Sequence, residues 1–222
     1  MAPAEPSAVE PLSPATAAAR AELVRLGRRY FGLGWLYATA GNLSARVGDR
    51  VVITASGKHK GDLGPDDFVE VDLAGALRAS GSPTGKASAE TSIHLALYRA
   101  HPTAAFALHV HTVASTLVGA TALAPTGIPI VAFEGVEMVK AWDLWQDGVR
   151  AELPVFPNHA DVARIGEDVA RHFAALPPGT PPVPALLVAA HGITAWGADA
   201  FTANRHLEAT EFLCQLELAR RR

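Results

Sequence analysis

The stretch Ala105–His111, AFALHVH, and its counterpart Ala185–Gly192, ALLVAAHG, govern how this chain is read. Each is a short apolar run that ends on histidine, the pattern of a buried strand handing over to a loop. Side chains two apart on a strand point the same way, so His109 and His111 are presented together. His191 ends the second run, and Gly192 after it allows a sharp turn or a close approach to a ligand. Three neutral imidazoles meeting at strand ends leave a divalent ion with open positions, as a catalytic zinc requires. His59, His94, His101, His159, His172 and His206 fall on predicted loops or helices without such pairing and read as surface or hydrogen-bonded residues.

Working outward, Ser13-Pro14 marks a helix start that runs to about Phe31, with Ala17, Ala21, Val24 and Tyr30 among its inward candidates. Gly32 and Gly34 stop it. Val51–Thr54 and Phe68–Val71 are strand-like. Ser88 is placed to cap a helix from Ala89 to about Ala100, and another helical pattern begins near Val113. Ile130–Phe133 reads as a strand and Val136–Trp142 as a short helix. Asn158 is placed to cap a helix reaching Phe173. Pro177–Pro184 reads as a stiff loop, and Asp199 opens a long terminal helix. Residues 1–13, rich in Pro, Ala and Glu, read as a flexible tail ahead of one domain spanning 14–222. The alternation of strands and helices indicates an α/β layer domain whose strand order the pattern does not reveal.

At 222 residues, 49% of them apolar, the chain can bury a substantial core. A net charge of −3 speaks against nucleic acid as a partner, although local cations can still hold a small anion. Cys214 is the single cysteine, so no intrachain disulfide forms and a reducing compartment is favoured. The N-terminal stretch lacks the basic start and apolar run of a secretory signal, and no apolar run is long enough to span a bilayer. The expectation is a cytoplasmic protein with no membrane partner.

Two small-residue loops, Thr39–Asn42 (TAGN) and Thr54–Gly61 (TASGKHKG), cluster donors around glycine. Backbone N–H groups and a nearby lysine in such loops can cradle a phosphate. Ser88, at a helix start, adds a hydroxyl. The glycine spacing of the Walker pattern is absent. Two carboxylates stand out, Glu90 in the first turn of one predicted helix and Glu137 opening another; both positions also suit an ordinary solvated charge.

Taken in order, TAGN at 39–42, T-x-S-G at 54–57, S-x-E at 88–90, H-x-H at 109–111 and His-Gly at 191–192 resemble the class II aldolase/adducin-head family over nearly the whole chain after residue 20. The resemblance implies a single three-layer domain with a central, mainly antiparallel β-sheet flanked by helices. It also implies one zinc ion per subunit on His109, His111 and His191, and a homotetramer with active sites between subunits. The stretches SGKHKG at 56–61, SAET at 88–91, EMVK at 137–140, AWG at 195–197 and RHLEA at 205–209 look most like the branch of that family that dehydrates 5-methylthioribulose 1-phosphate in methionine salvage.

That likeness implies a phosphorylated keto-sugar substrate held by Asn42, Ser56, Gly57 and Ser88, with Lys60 a further candidate. Glu90 matches the catalytic carboxylate of the sugar-phosphate aldolases, and Glu137 the acid/base of the dehydratases. Which removes a proton and which supplies one stays open at this point. Zinc would polarise the ketone, and loss of the C3 proton and the C4 hydroxyl would give a 2,3-diketone. The rival readings are an aldolase or 4-epimerase on the same metal site, a free-standing zinc hydrolase, and a metal-free adducin-like binding module.

Overall fold

The computed structural model describes residues 12–81, 85–122, 127–177 and 183–221. The tail reading for residues 1–11 and the stiff-loop reading for residues 178–182 lie outside the described residues. In chain order the helices are α1 (Pro14–Gly32), α2 (Thr91–Ala100), α3 (Val113–Thr121), α4 (Val162–Ala175) and α5 (Ala200–Arg220). The strands are β1 (Asn42–Val47), β2 (Arg50–Thr54), β3 (Phe68–Asp72), β4 (Leu77–Ser80), β5 (Phe106–Val110), β6 (Ile130–Glu134), β7 (Arg150–Phe156), β8 (Ala185–Val188) and β9 (Gly192–Gly197).

The strands form one sheet in the order β4-β3-β2-β1-β5-β9-β8-β7-β6, antiparallel throughout except for the β7–β8 pair. Both apolar runs ending on histidine are therefore strands of the sheet's middle. The period-two alternation of strand side chains divides the core in two. Leu108, Val110, Leu187, Ile193 and Ala195 face α1, α3 and α5, packing with Leu23, Leu26, Tyr30, Val118, Leu207 and Leu213. Ala107, Leu186, Val188 and Trp196 face α2 and α4, packing with Ile93, Leu97, Ile165 and Val169. Covered on both sides, β8 has no need of polar positions and is apolar throughout. This is a single three-layer α/β domain.

Several local expectations shift. In α1 Ala17 and Ala21 face solvent, and the buried stripe is Thr16, Ala19, Arg20, Leu23, Leu26, Gly27 and Tyr30. Arg20 turns inward because its guanidinium reaches the buried Glu70 carboxylate at 3.1 Å. Helix α2 begins at Thr91, with Glu90 in the cap position and no side-chain cap bond. Ser88 instead accepts the Glu90 amide at 3.4 Å one turn earlier. Asp161, not Asn158, caps α4, accepting from the Ala163 amide. The short helix expected over Val136–Trp142 is present as a 3₁₀ helix, Glu137–Trp142. No helix among the described residues is long and apolar enough to cross a membrane.

Candidate active site

His109 is the penultimate residue of β5, paired laterally with Asn42 of β1 and Thr194 of β9. It shares parity with Ala107, so its ring points to the face covered by α2. Its Nδ1 lies 3.0 Å from the Thr194 hydroxyl, which leaves Nε2 turned toward the strand end. His111 follows just beyond β5, where its amide donates to the Trp35 carbonyl at 2.9 Å. The two Nε2 atoms stand 2.8 Å apart.

His191 occupies the tight turn between β8 and β9. Its amide donates to the Val188 carbonyl at 3.1 Å, and Ala190 before it adopts φ +52°. The turn presses so closely on β5 that a Cβ at Gly192 would lie 2.2 Å from the Val110 carbonyl oxygen. Thr116 of α3 donates to the His191 carbonyl at 2.7 Å. Glu90, at the mouth of α2, completes the group: its Oε1 is 2.7 Å from His191 Nε2 and its Oε2 is 3.4 Å from His109 Nε2. One ligand atom from each of Glu90, His109, His111 and His191 falls within 4.8 Å of the others.

Burial disfavours the imidazolium form, holding His109 at about 4 and His111 at about 3; neighbouring imidazoles add to the effect. Both rings are thus neutral at ordinary pH, with nitrogen lone pairs available. Burial also opposes ionisation of Glu90, but the imidazoles of His109, His191 and His111 outweigh it and hold the carboxyl well below the usual range. Two inward Nε2 atoms at 2.8 Å can share only one proton. A divalent cation satisfies all the lone pairs at once, so this donor set of three imidazoles and a carboxylate fits such an ion.

The expected phosphate residues converge on the neighbouring strand ends. Asn42 opens β1 and is buried; its Nδ2 donates to Glu90 Oε2, while Oδ1 has no partner among the described residues. An isolated bridge between Ala55 and Ala87 brings the Ser56-Gly57 turn beside the Lys86–Ser88 segment, and the Ser56 amide donates to the Lys86 carbonyl at 2.9 Å. Gly57 adopts φ +76°, a conformation that favours glycine.

Lys60 behaves differently from the phosphate ligand expected of it. Its ammonium is buried and donates to the Thr39 and Lys58 carbonyls at 2.8 and 2.7 Å, tying the two small-residue loops together. Burial, partly offset by the Glu90 charge, lowers it to about 8. Glu137 is not brought to the histidines within one chain. It follows β6, the far edge strand, is exposed, and pairs with Lys140 at 3.0 Å beside a groove lined by Met138, Ala141, Phe212 and Leu216.

Thr194 and Thr116, which brace the imidazoles, were not apparent from sequence, because a threonine within an apolar strand or helix reads as β-branched filler. Tyr37, Val113, Leu117 and Asn158, which line the depression beside His111 and His191, carry no motif either.

The sequence matches the Class II Aldolase and Adducin N-terminal domain over residues 21–218. It is 42% identical over 198 residues to a methylthioribulose-1-phosphate dehydratase of Leptospira biflexa, covering 88% of this chain and 94% of that one. A protein of the same name from Acidiphilium cryptum is 43% identical over 204 residues, covering 90% of each chain. Among solved structures, YgbL of Escherichia coli, described as a putative aldolase/epimerase/decarboxylase, superposes with a TM-score of 0.73 at 25% identity, over 90% of this chain and 88% of that one. With a family match that spans residues 21–218 and relatives 42–43% identical over about nine-tenths of its length, the chain belongs to the class II aldolase and adducin N-terminal domain family.

Proposed function

We propose that this protein is a zinc-dependent hydro-lyase that converts 5-methylthioribulose 1-phosphate to 2,3-diketo-5-methylthiopentyl 1-phosphate and water. The carrying observation is the Glu90 carboxylate 2.7 Å from His191 Nε2 within a cluster of three imidazoles. The sequence kinship to dehydratases across nine-tenths of the chain selects the substrate. Residues 14–222 act as one catalytic domain, in a cytoplasmic homotetramer whose active sites lie between subunits.

His109, His111 and His191 would hold one zinc per subunit, and that ion would supply Lewis acidity to polarise a ketone oxygen and so acidify the adjacent C–H. Asn42, Ser56, Gly57 and Ser88 grip the phosphate with amides and hydroxyls, and Lys60 supports this grip by locking its loops. The Glu90 carboxylate, ionised at neutral pH, accepts the C3 proton. The C4 hydroxyl departs as water, taking a proton from Glu137 of a second copy, because the first copy's own Glu137 faces solvent beyond the sheet edge. The resulting C3–C4 enol takes the proton held by Glu90 at C4 and gives its C3 hydroxyl proton to the Glu137 carboxylate, which leaves the 2,3-diketone and returns both carboxyls to their starting states.

The test is a panel of methylthioribulose, ribulose and fuculose phosphates offered to zinc-loaded protein, with products weighed by mass spectrometry. Loss of water from the methylthio substrate is expected. Cleavage or epimerisation at C3–C4, without loss of water, overturns the proposal in favour of an aldolase or epimerase.

A further inference from the structure

A depression of about 480 Å³ opens beside His111 and His191, and Tyr37, Val113 and Leu117 line it together with Asn158 and Ala190. The three large apolar side chains are 57%, 64% and 47% exposed, respectively. Val113 and Leu117 are four apart on α3 and so share one helix face. Tyr37 is carried by a tight turn in which the Ala40 amide donates to its carbonyl at 2.9 Å. Apolar groups gathered at the mouth of a polar site are the mark of a ligand's apolar portion.

The layout says which portion. None of Asn42, Ser56, Gly57, Ser88 or Glu90 lines this depression. A ketose phosphate gripped there by its C1 phosphate, with C2 and C3 at the imidazoles, directs its C5 end past His111 and His191 into the depression. We infer that Tyr37, Val113 and Leu117 form a subsite for the short thioether at C5, selecting thioether-bearing ketose phosphates over analogues without it. This rests on the function proposed above. An apolar pocket distinguishes ligands differing by a single methylene-sized group by about 10- to 200-fold, so a methylthio group is large enough to be chosen this way.

The test separates this inference from the reaction by measuring binding alone. Zinc-loaded full-length protein is titrated calorimetrically with two unreactive alcohols, 5-methylthioribitol 1-phosphate and 5-deoxyribitol 1-phosphate. The expected result is at least about ten-fold tighter binding of the thioether. In the paired variant Val113→Ser/Leu117→Ser, exposed positions whose replacement opens no core cavity, this preference is expected to fall to about two-fold or less. A preference that survives the substitutions, or is absent from the parent, overturns the inference. So does a change in oligomeric state with the preference intact, which would make the apolar face a contact between copies. If the preference appears and vanishes as described while the ketose itself loses no water, the subsite stands and the dehydratase reading fails.

Discussion

Thr116 Oγ1 stands 2.7 Å from the carbonyl oxygen of His191 and donates to it, strapping α3 to the turn that carries an imidazole from the opposite strand. The same hydroxyl lies 2.7 Å from the Thr112 carbonyl, next to His111. The turn that carries His191 is thereby held to the first turn of α3, the helix that starts two residues after His111. Replacement Thr116→Val keeps shape and removes the donor. Zinc affinity, read by competition with a chromophoric chelator, is expected to fall by about ten-fold or more, since groups that orient ligands carry such weight. Folding stability should drop by only about 1 kcal/mol. Unchanged affinity would remove the strap from the account.

The imidazole assignment is tested by elemental analysis. His109→Ala protein is expected to hold well under one zinc per chain and to have no turnover. One zinc per chain in that variant sinks the assignment.

Glu137→Gln separates metal binding from proton transfer. It is expected to retain full zinc and to lose roughly 10²- to 10⁴-fold in turnover, the usual worth of a placed acid or base. Because Glu137 is exposed beside Lys140, its replacement should leave stability unaltered. Near-normal dehydration by this variant refutes its role.

His94 predicts an acid limb in stability. Fully buried with Nδ1 2.7 Å from the Ser44 hydroxyl, it is held at about 4 by burial, against an ordinary 6.5. The unfolded chain takes up this proton as pH falls through about 6.5, whereas the folded chain resists until about 4. The stability from keeping the ring neutral is therefore present above the unfolded value and lost on the way down, by roughly 3 kcal/mol at most. Urea denaturation of metal-free protein at pH 7 and pH 4.5 measures the loss. The variant His94→Gln should show a shallower dependence; an equally steep one assigns the acid limb elsewhere.

Gly41 and Gly48 form a matched pair, with φ of +73° and +63°. A Cβ at Gly41 would fall 2.2 Å from Leu36 Cδ2 and 2.8 Å from the His109 carbonyl oxygen, whereas one at Gly48 meets nothing within 4 Å. Alanine at Gly48 should cost about 1 kcal/mol for backbone strain alone. Alanine at Gly41 should cost at least about 2 kcal/mol more, the scale of overpacking. Equal losses in urea denaturation would show that the contact relaxes freely.

The middle of the sheet was legible because β5 and β8 are covered on both faces and read as unbroken apolar runs. Strands β1, β4, β7 and β9 were missed for the complementary reason. Arg46, Arg78 and Glu152 interrupt the apolar pattern of β1, β4 and β7, glycines bound β9 at both ends, and pairing with neighbours, not composition, makes all four strands. Convergence of His109, His111 and His191 could be foreseen from their places at the ends of apolar runs and from family likeness, which also marked Glu90 as a catalytic carboxylate; that Glu90 joins the imidazole cluster is seen only in the fold. The role of Lys60 could not: a lysine beside glycines looks like an anion ligand until its carbonyl partners are seen. Glu137 likewise carries a motif whose position beyond the sheet edge no local pattern reveals.

The contact between Gly192 and the Val110 carbonyl has a consequence for anyone wishing to change the ion this enzyme uses. Main chain abuts main chain there, so the gap between the β5 end and the β8–β9 turn is a fixed gauge, indifferent to side-chain choice. Retuning ion preference by exchanging donor residues would work within that gauge; widening it would require rebuilding the turn itself.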